Sequence, residues 1–200
     1  MEVVAVPPEN CLDPATNGVP VHVITRRGSK QYAAPRAFRR VFWAADSSDE
    51  YTGMGSTIVA ALVQDNRLVY SGVGDSRLYF WHAGELSQLT EDNSWIATVL
   101  ACEEDGDEVE LASHPMRNVL TNVLGATEET EVAVKEQLVR DGETLLLCSD
   151  GVHETLDDAA FGAMLSDGAD VAALTQRIVD VALDAKASDN VTALGIRYEE

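Results

Sequence analysis

The sequence predicts an α+β fold in which helices are laid over a sandwich of β-sheets. Short apolar stretches bounded by Gly, Asn and Asp run from Ser56 to Thr90, and again from Thr130 to Tyr198 with helices between, at strand lengths. Two segments of helical period arrive as a pair near the C-terminus, where Val171, Leu174, Ile178 and Val181 share one face. The chain has 200 residues, 46% of them hydrophobic, which suits one globular domain with a sizeable core.

Residues 1–20 hold most of the prolines and read as an irregular lead-in, and residues 21–200 read as a single domain. "VHVIT" (21–25) and "AFRRVFWAAD" (37–46) have the look of two strands joined by a polar turn through Arg26, Arg27 and Gly28. A polar link, "SSDEYTGMG", leads to the apolar strand "STIVAALVQ" (56–64), and Asp65-Asn66 makes a hairpin turn. Strands continue to Thr90 with a turn at Ala83-Gly84, and the alternation of Leu68 with Tyr70 and of Leu78 with Phe80 is the pleat. From Glu91 the period changes to that of a helix capped near Asp92 or Asn93. An acidic loop (103–110) follows, then "HPMRNVLTNVLG" (114–125), read as a short helix. "TEVAVKEQLV" and "ETLLLCSD" are strands parted by the turn Asp141-Gly142, and "NVTALGIRY" closes the chain as a strand.

Composition excludes several classes of function. Thirty-four acidic against 14 basic residues give a formal charge of −20, which argues against binding nucleic acid or anionic lipid through a basic surface. No apolar stretch approaches the roughly 20 residues of a membrane span, and no signal peptide is visible, so the expected setting is cytoplasmic. Cys11, Cys102 and Cys148 are odd in number and far apart, which suits a reducing compartment better than a disulfide framework or a zinc site. Trp43, Trp81 and Trp95 are expected in the core or at its edge. His114 and His153 read as loop residues, with proton donation by His153 as the functional alternative.

Three carboxylates carry the chemistry. Asp75 in "GVGDSR", Asp150 in "CSDGV" and Asp189 in "ASDNV" each stand at a strand end beside small residues. Oxygen ligands gathered at a common rim suit a hard cation such as Mg²⁺ or Mn²⁺. Each aspartate taken singly is equally a turn residue.

The longer patterns around them resemble the metal-dependent protein serine/threonine phosphatases (PPM, or type 2C), especially the bacterial ones. "GMGSTIVAALVQDNRLVYSGVGDSRLYF" is similar to that family's small-residue motif, strand, hairpin and Gly-Asp-Ser-Arg motif. "LSQLTEDNSW" and "HPMRNVLTNVLG" resemble the segments into and out of its flap, and "LLLCSDGV" and "SDNVTALGI" its last two metal motifs. The resemblance runs from about residue 53 to 198. It implies an α-β-β-α sandwich of two mainly antiparallel sheets flanked by helices. It also implies a dinuclear Mg²⁺ or Mn²⁺ centre ligated by Asp150 and Asp189, with Asp75 on a third, more weakly held ion. The implied reaction is hydrolysis of phosphoserine and phosphothreonine by a metal-activated water, with no protein nucleophile. Substrates would be phosphoproteins, targets of a Ser/Thr kinase.

The N-terminal third departs from that pattern. "VFWAADSS" stands where an Asp-Gly motif is expected, which makes Asp46 the implied bridging carboxylate, with Ser47 and Ser48 in place of glycines. "AAPR" stands where an acidic motif is expected, and Arg26 or Arg27 would be the phosphate-orienting arginine. A long helical segment is missing before Gly53, which leaves a sheet face uncovered, open to a partner or to self-association. A second reading therefore stands beside the enzyme: a catalytically impaired relative acting as a binding or regulatory module.

Overall fold

The computed structural model describes residues 2–6, 34–47, 49–102, 114–116, 118–128 and 130–200. Its strands are β1 (Glu2–Val6), β2 (Ile58–Gln64), β3 (Arg67–Val73), β4 (Arg77–His82), β5 (Glu85–Gln88), β6 (Val134–Leu138), β7 (Thr144–Cys148) and β8 (Ala193–Arg197). Its helices are α1 (Ala34–Ser47), α2 (Trp95–Cys102), α3 (Asp150–His153), α4 (Asp158–Ser166) and α5 (Val171–Asp184).

Two antiparallel sheets form, one of five strands in the order β1-β8-β7-β4-β5 and one of three in the order β2-β3-β6. The sequence of β7, Thr-Leu-Leu-Leu-Cys, is apolar throughout because both of its faces are covered, and all five residues are buried. Leu145 and Leu147 pack with Leu78, Leu194 and Ile196 against Val59, Ala61, Leu68 and Tyr70 of the three-stranded sheet. Leu146 and Cys148 point the other way, into a layer made by Phe161, Met164, Leu174, Ile178 and Ala182 of α4 and α5. Each fully buried Leu, Ile or Phe contributes about 1.5–3 kcal/mol relative to exposure. The layers are thus helices, five-stranded sheet, three-stranded sheet.

The helical pair is set by its caps. The Asp157 side chain accepts from the Ala160 amide and that of Asp170 from the Ala173 amide. On α5 the buried stripe runs through Val171, Leu174, Ile178 and Ala182, whereas Val181 is 37% exposed. The stripe follows the 3.6-residue turn to Ala182, one position beyond the expected Val181.

Several expectations need correction. "AFRRVFWAAD" is helical, not a strand. Phe38, Val41, Phe42 and Ala45 recur at three and four residues, which is the helical period, and Pro35 near the start suits a helix's first turn. The lead-in contains β1, which pairs with β8 along its whole length. "HPMRNVLTNVLG" is no helix where it is described. Its residues form turns and isolated bridges, Leu120 with Ser94 and Leu124 with Ser56. The helix after Glu91 is capped by Ser94, whose Oγ accepts from the Ala97 amide at 3.2 Å. Trp43 is 55% exposed on α1. "VHVIT", Arg26 and Arg27 lie outside the described residues.

The outer face of the three-stranded sheet is not bare at both ends. Val41 of α1 packs there with Ile58, Val73, Leu124 and Val132. On the edge strand β6, Val134 and Leu138 are 67% and 63% exposed. Among the described residues no helix is long and apolar enough to cross a membrane.

Candidate metal centre

Asp75 lies where the chain leaves the three-stranded sheet at Val73 and enters the five-stranded sheet at Arg77. The crossing is tight. Gly74 has φ 95°, and a Cβ there would meet Thr57 Cγ2 at 2.4 Å, so only glycine fits. The Gly74 amide donates to Asn93 Oδ1 at 3.1 Å, the Asn93 amide donates to the Gly74 carbonyl at 2.8 Å, and the Ser76 and Thr57 hydroxyls share a bond of 2.9 Å. Beyond it, Arg77 forks onto Asp92, with Nε 3.0 Å from Oδ1 and Nη2 2.7 Å from Oδ2, and Nη1 donates to the Tyr79 hydroxyl at 2.9 Å. This forked geometry is available to arginine alone among the cations.

Asp150 follows β7 directly. Ser149 is the N-cap residue, and Asp150 is the first residue of the four-residue α3. The Ser149 hydroxyl donates to the Asn190 carbonyl and accepts from the Thr192 amide, both at 3.0 Å, which bolts the Asp150 turn to the loop carrying Asp189. The approach is close: a Cβ on Gly151 would stand 2.5 Å from the Asn190 carbonyl oxygen. The Gly151 amide donates to Asp150 Oδ1 at 2.8 Å, and Asp189 Oδ1 accepts from the Asn190 amide at 2.6 Å.

Asp150 lies within charge reach of both other carboxylates, Asp75 on one side and Asp189 on the other. Burial first, then the Asp150 charge, pushes the Asp75 carboxyl up to about 6, with Asp92 and Glu154 adding to the effect. Burial, and after it the Asp189 charge, raises Asp150 against the lowering effect of the Gly151 bond. The fold therefore sets Asp150 between Asp75 and Asp189 electrostatically. Asp46 is exposed on the last turn of α1.

The donor set fits Mg²⁺ or Mn²⁺: it is all carboxylate, partly desolvated, and short of positive charge. Among the described residues no group of three or more His, Cys, Asp and Glu side chains is close enough to hold one ion.

His153, expected as a loop residue or a proton donor, is not a free loop residue. It ends α3, and its Nε2 lies 2.8 Å from the Asp75 carbonyl oxygen. Burial, then Arg77, pushes its imidazole down to about 4. His114 stacks on Trp95 with ring centroids 4.4 Å apart. A cavity of about 450 Å³ opens behind Asn93, lined by Tyr70, Thr90, Asn122, Glu131 and Lys135, and none of the three aspartates lines it.

Two antiparallel sheets under helices, with aspartates at the end of β7, before β8 and at the inter-sheet crossing, are the architecture and motif order of the PPM class. Residues 29–192 match the family described as Protein phosphatase 2C, and the chain belongs to that family. The serine/threonine phosphatase Stp of Listeria innocua is 32% identical over 150 residues, 75% of this chain and 59% of that protein. The serine/threonine protein phosphatase PstP of Mycobacterium tuberculosis is 34% identical over 167 residues, 83% of this chain and 32% of that protein. The structure of the S. agalactiae serine/threonine phosphatase matches with a TM-score of 0.75 at 29% identity, covering 83% of this chain and 67% of that one. The PstP catalytic domain in complex with two manganese ions matches with a TM-score of 0.71 at 28% identity, covering 82% and 67%. The chain thus spans 59% of the length of the Listeria relative.

Proposed function

We propose that the chain is a metal-dependent protein phosphatase that hydrolyses phosphoserine and phosphothreonine in protein substrates. The observation that carries this reading is geometric: Ser149 and Gly151 lace the Asp150 turn to the loop carrying Asp189, and His153 of the same turn reaches the Asp75 carbonyl. The relatives named as serine/threonine phosphatases, and the manganese-bound PstP domain, support the reaction and the metal. Divalent cations bound there would supply charge against the phosphoryl oxygens and a water of lowered pKa for in-line attack.

The chain's own residues do the rest. Asp150 and Asp189 serve the paired cations, and Asp75 a third, more weakly held one. Ser149 and Gly151 keep the first two carboxylates in register. The Arg77–Asp92 fork fixes the start of β4, so that the Asp75 turn has one geometry. Asp46, on an exposed helix end, is left out of this set. The substrates would be proteins phosphorylated by a Ser/Thr kinase of the same cell, and the setting the cytoplasm.

Phosphate release from a phosphothreonine peptide with Mn²⁺ tests the reading. Wild type is expected to turn over, Asp46→Ala to match it, and Asp150→Asn to fall to background. No difference between wild type and Asp150→Asn refutes it. The lack of a three-ligand group among the described residues favours one alternative, a relative that binds phosphoproteins without hydrolysing them. Saturable phosphopeptide binding without turnover would select that alternative.

A further inference from the structure

We infer that His153 is a positioning residue that ties Asp75 to Asp150 and thereby sets the affinity for the most weakly held cation. The inference rests on the metal-dependent reading above. Its ground is geometric. Asp150 opens α3 and His153 closes it, so both side chains ride on one turn of backbone. That turn is fixed to the β7 and β8 ends by the Ser149 bonds and by the close seat of Gly151 on Asn190. From it the His153 ring reaches to the inter-sheet crossing and meets the Asp75 carbonyl at 2.8 Å. A carbonyl oxygen only accepts, so Nε2 must carry the hydrogen.

The tie has something to oppose. Asp75 feels the charges of Asp150, Asp92 and Glu154 together, and all three disfavour a second carboxylate nearby. The crossing's other bonds run to Asn93 and Thr57, neither of which belongs to the β7–α3 turn. His153 joins the Asp75 backbone to the carrier of Asp150, a link 78 residues long in sequence. Such partners orient metal ligands from behind, and losing one commonly lowers metal affinity about 10–100-fold.

The test is calorimetric titration of Mn²⁺ into the metal-free full chain, as wild type, His153→Leu, His153→Gln and Asp150→Asn. The Gln amide nitrogen reaches about as far as Nε2 and can donate, whereas Leu fills the space without a donor. His153→Leu is expected to weaken the weakest cation at least about 10-fold while the tighter binding stays, and His153→Gln to restore most of the loss. Asp150→Asn should abolish the tight binding. An unchanged His153→Leu isotherm overturns the inference, and so does a uniform loss at every site. Nitrogen-15 NMR of metal-free wild type gives a readout that needs no variant. A hydrogen on Nε2 is expected, and a neutral ring with its hydrogen on Nδ1 overturns the tie. If wild type takes up no Mn²⁺, the phosphatase reading itself fails and this inference with it. Wild-type uptake with an unmoved His153→Leu defeats the tie alone.

Discussion

Gly151→Ala is the sharpest test of how the carboxylates are held. Gly151 lies in α3 directly after Asp150, and a Cβ there would stand 2.5 Å from the Asn190 carbonyl oxygen and 3.0 Å from both the Asn190 carbonyl carbon and the Asp189 oxygen. All three are backbone atoms, so no side-chain rotation relieves the contact. Opening 2.5 Å to an ordinary contact of about 3.5 Å moves the 189–190 loop, or α3, by about 1 Å. Overpacking of this kind costs about 1–3 kcal/mol, and the better helix propensity of Ala returns at most about 1 kcal/mol. The movement parts Asp150 from Asp189. A displacement of about 1 Å in a catalytic constellation commonly lowers turnover about 10²-fold. Urea unfolding of the metal-free protein reads the first effect and Mn²⁺ titration with phosphopeptide hydrolysis the second. A stability within about 0.5 kcal/mol of wild type, together with unaltered Mn²⁺ affinity, would refute the close seating and with it the argument that glycine is required.

Other expected outcomes concern the charge cluster, the fork and the core. Asp150→Asn removes one charge from a repelling set, so the metal-free variant should unfold at the same urea concentration as wild type or higher, while Mn²⁺ no longer stabilises it. A lower midpoint in the absence of metal would mean that the carboxylate is structural. Arg77→Ala leaves the half-buried Asp92 without its forked partner and should destabilise by about 1.5–3 kcal/mol, read by thermal unfolding; a change below about 0.5 kcal/mol contradicts the fork. Phe161→Ala empties a fully buried site whose ring lies 5.2 Å from that of Tyr79, at a cost of about 3–5 kcal/mol in urea unfolding. The same substitution at exposed Val134 should change stability by less than about 0.5 kcal/mol.

The strands from Ile58 onward were legible because each carries a strong local signal: alternation in β3 and β4, apolar runs in β2 and β7, and turns at Asp65, Ala83 and Gly142 with positive φ. The positions of Asp75, Asp150 and Asp189 at strand ends were legible for the same reason, since each interrupts such a run at its end. The helical reading of residues 34–47 was lost because Phe, Val and Trp also favour strands, and the period of Phe38, Val41, Phe42 and Ala45 had to be weighed against that. No local pattern could pair His153 with the Asp75 carbonyl or Arg77 with Asp92. The first contact follows from the β4–β7 register, Arg77 opposite Cys148, and the second from the β4–β5 register, Tyr79 opposite Gln88, and register belongs to the tertiary fold.

The crossing at Gly74–Ser76 has a mechanical consequence. Asp150 and Asp189 both hang from the five-stranded sheet, so sliding one sheet over the other leaves their separation alone. Asp75 is moored to both sheets, and the same slide shifts it against the other two. Core substitutions between the layers, at Leu68 or Leu147 for instance, should therefore alter the loosest cation's affinity while sparing the tighter pair. The third ion would then work as a strain gauge for the sandwich.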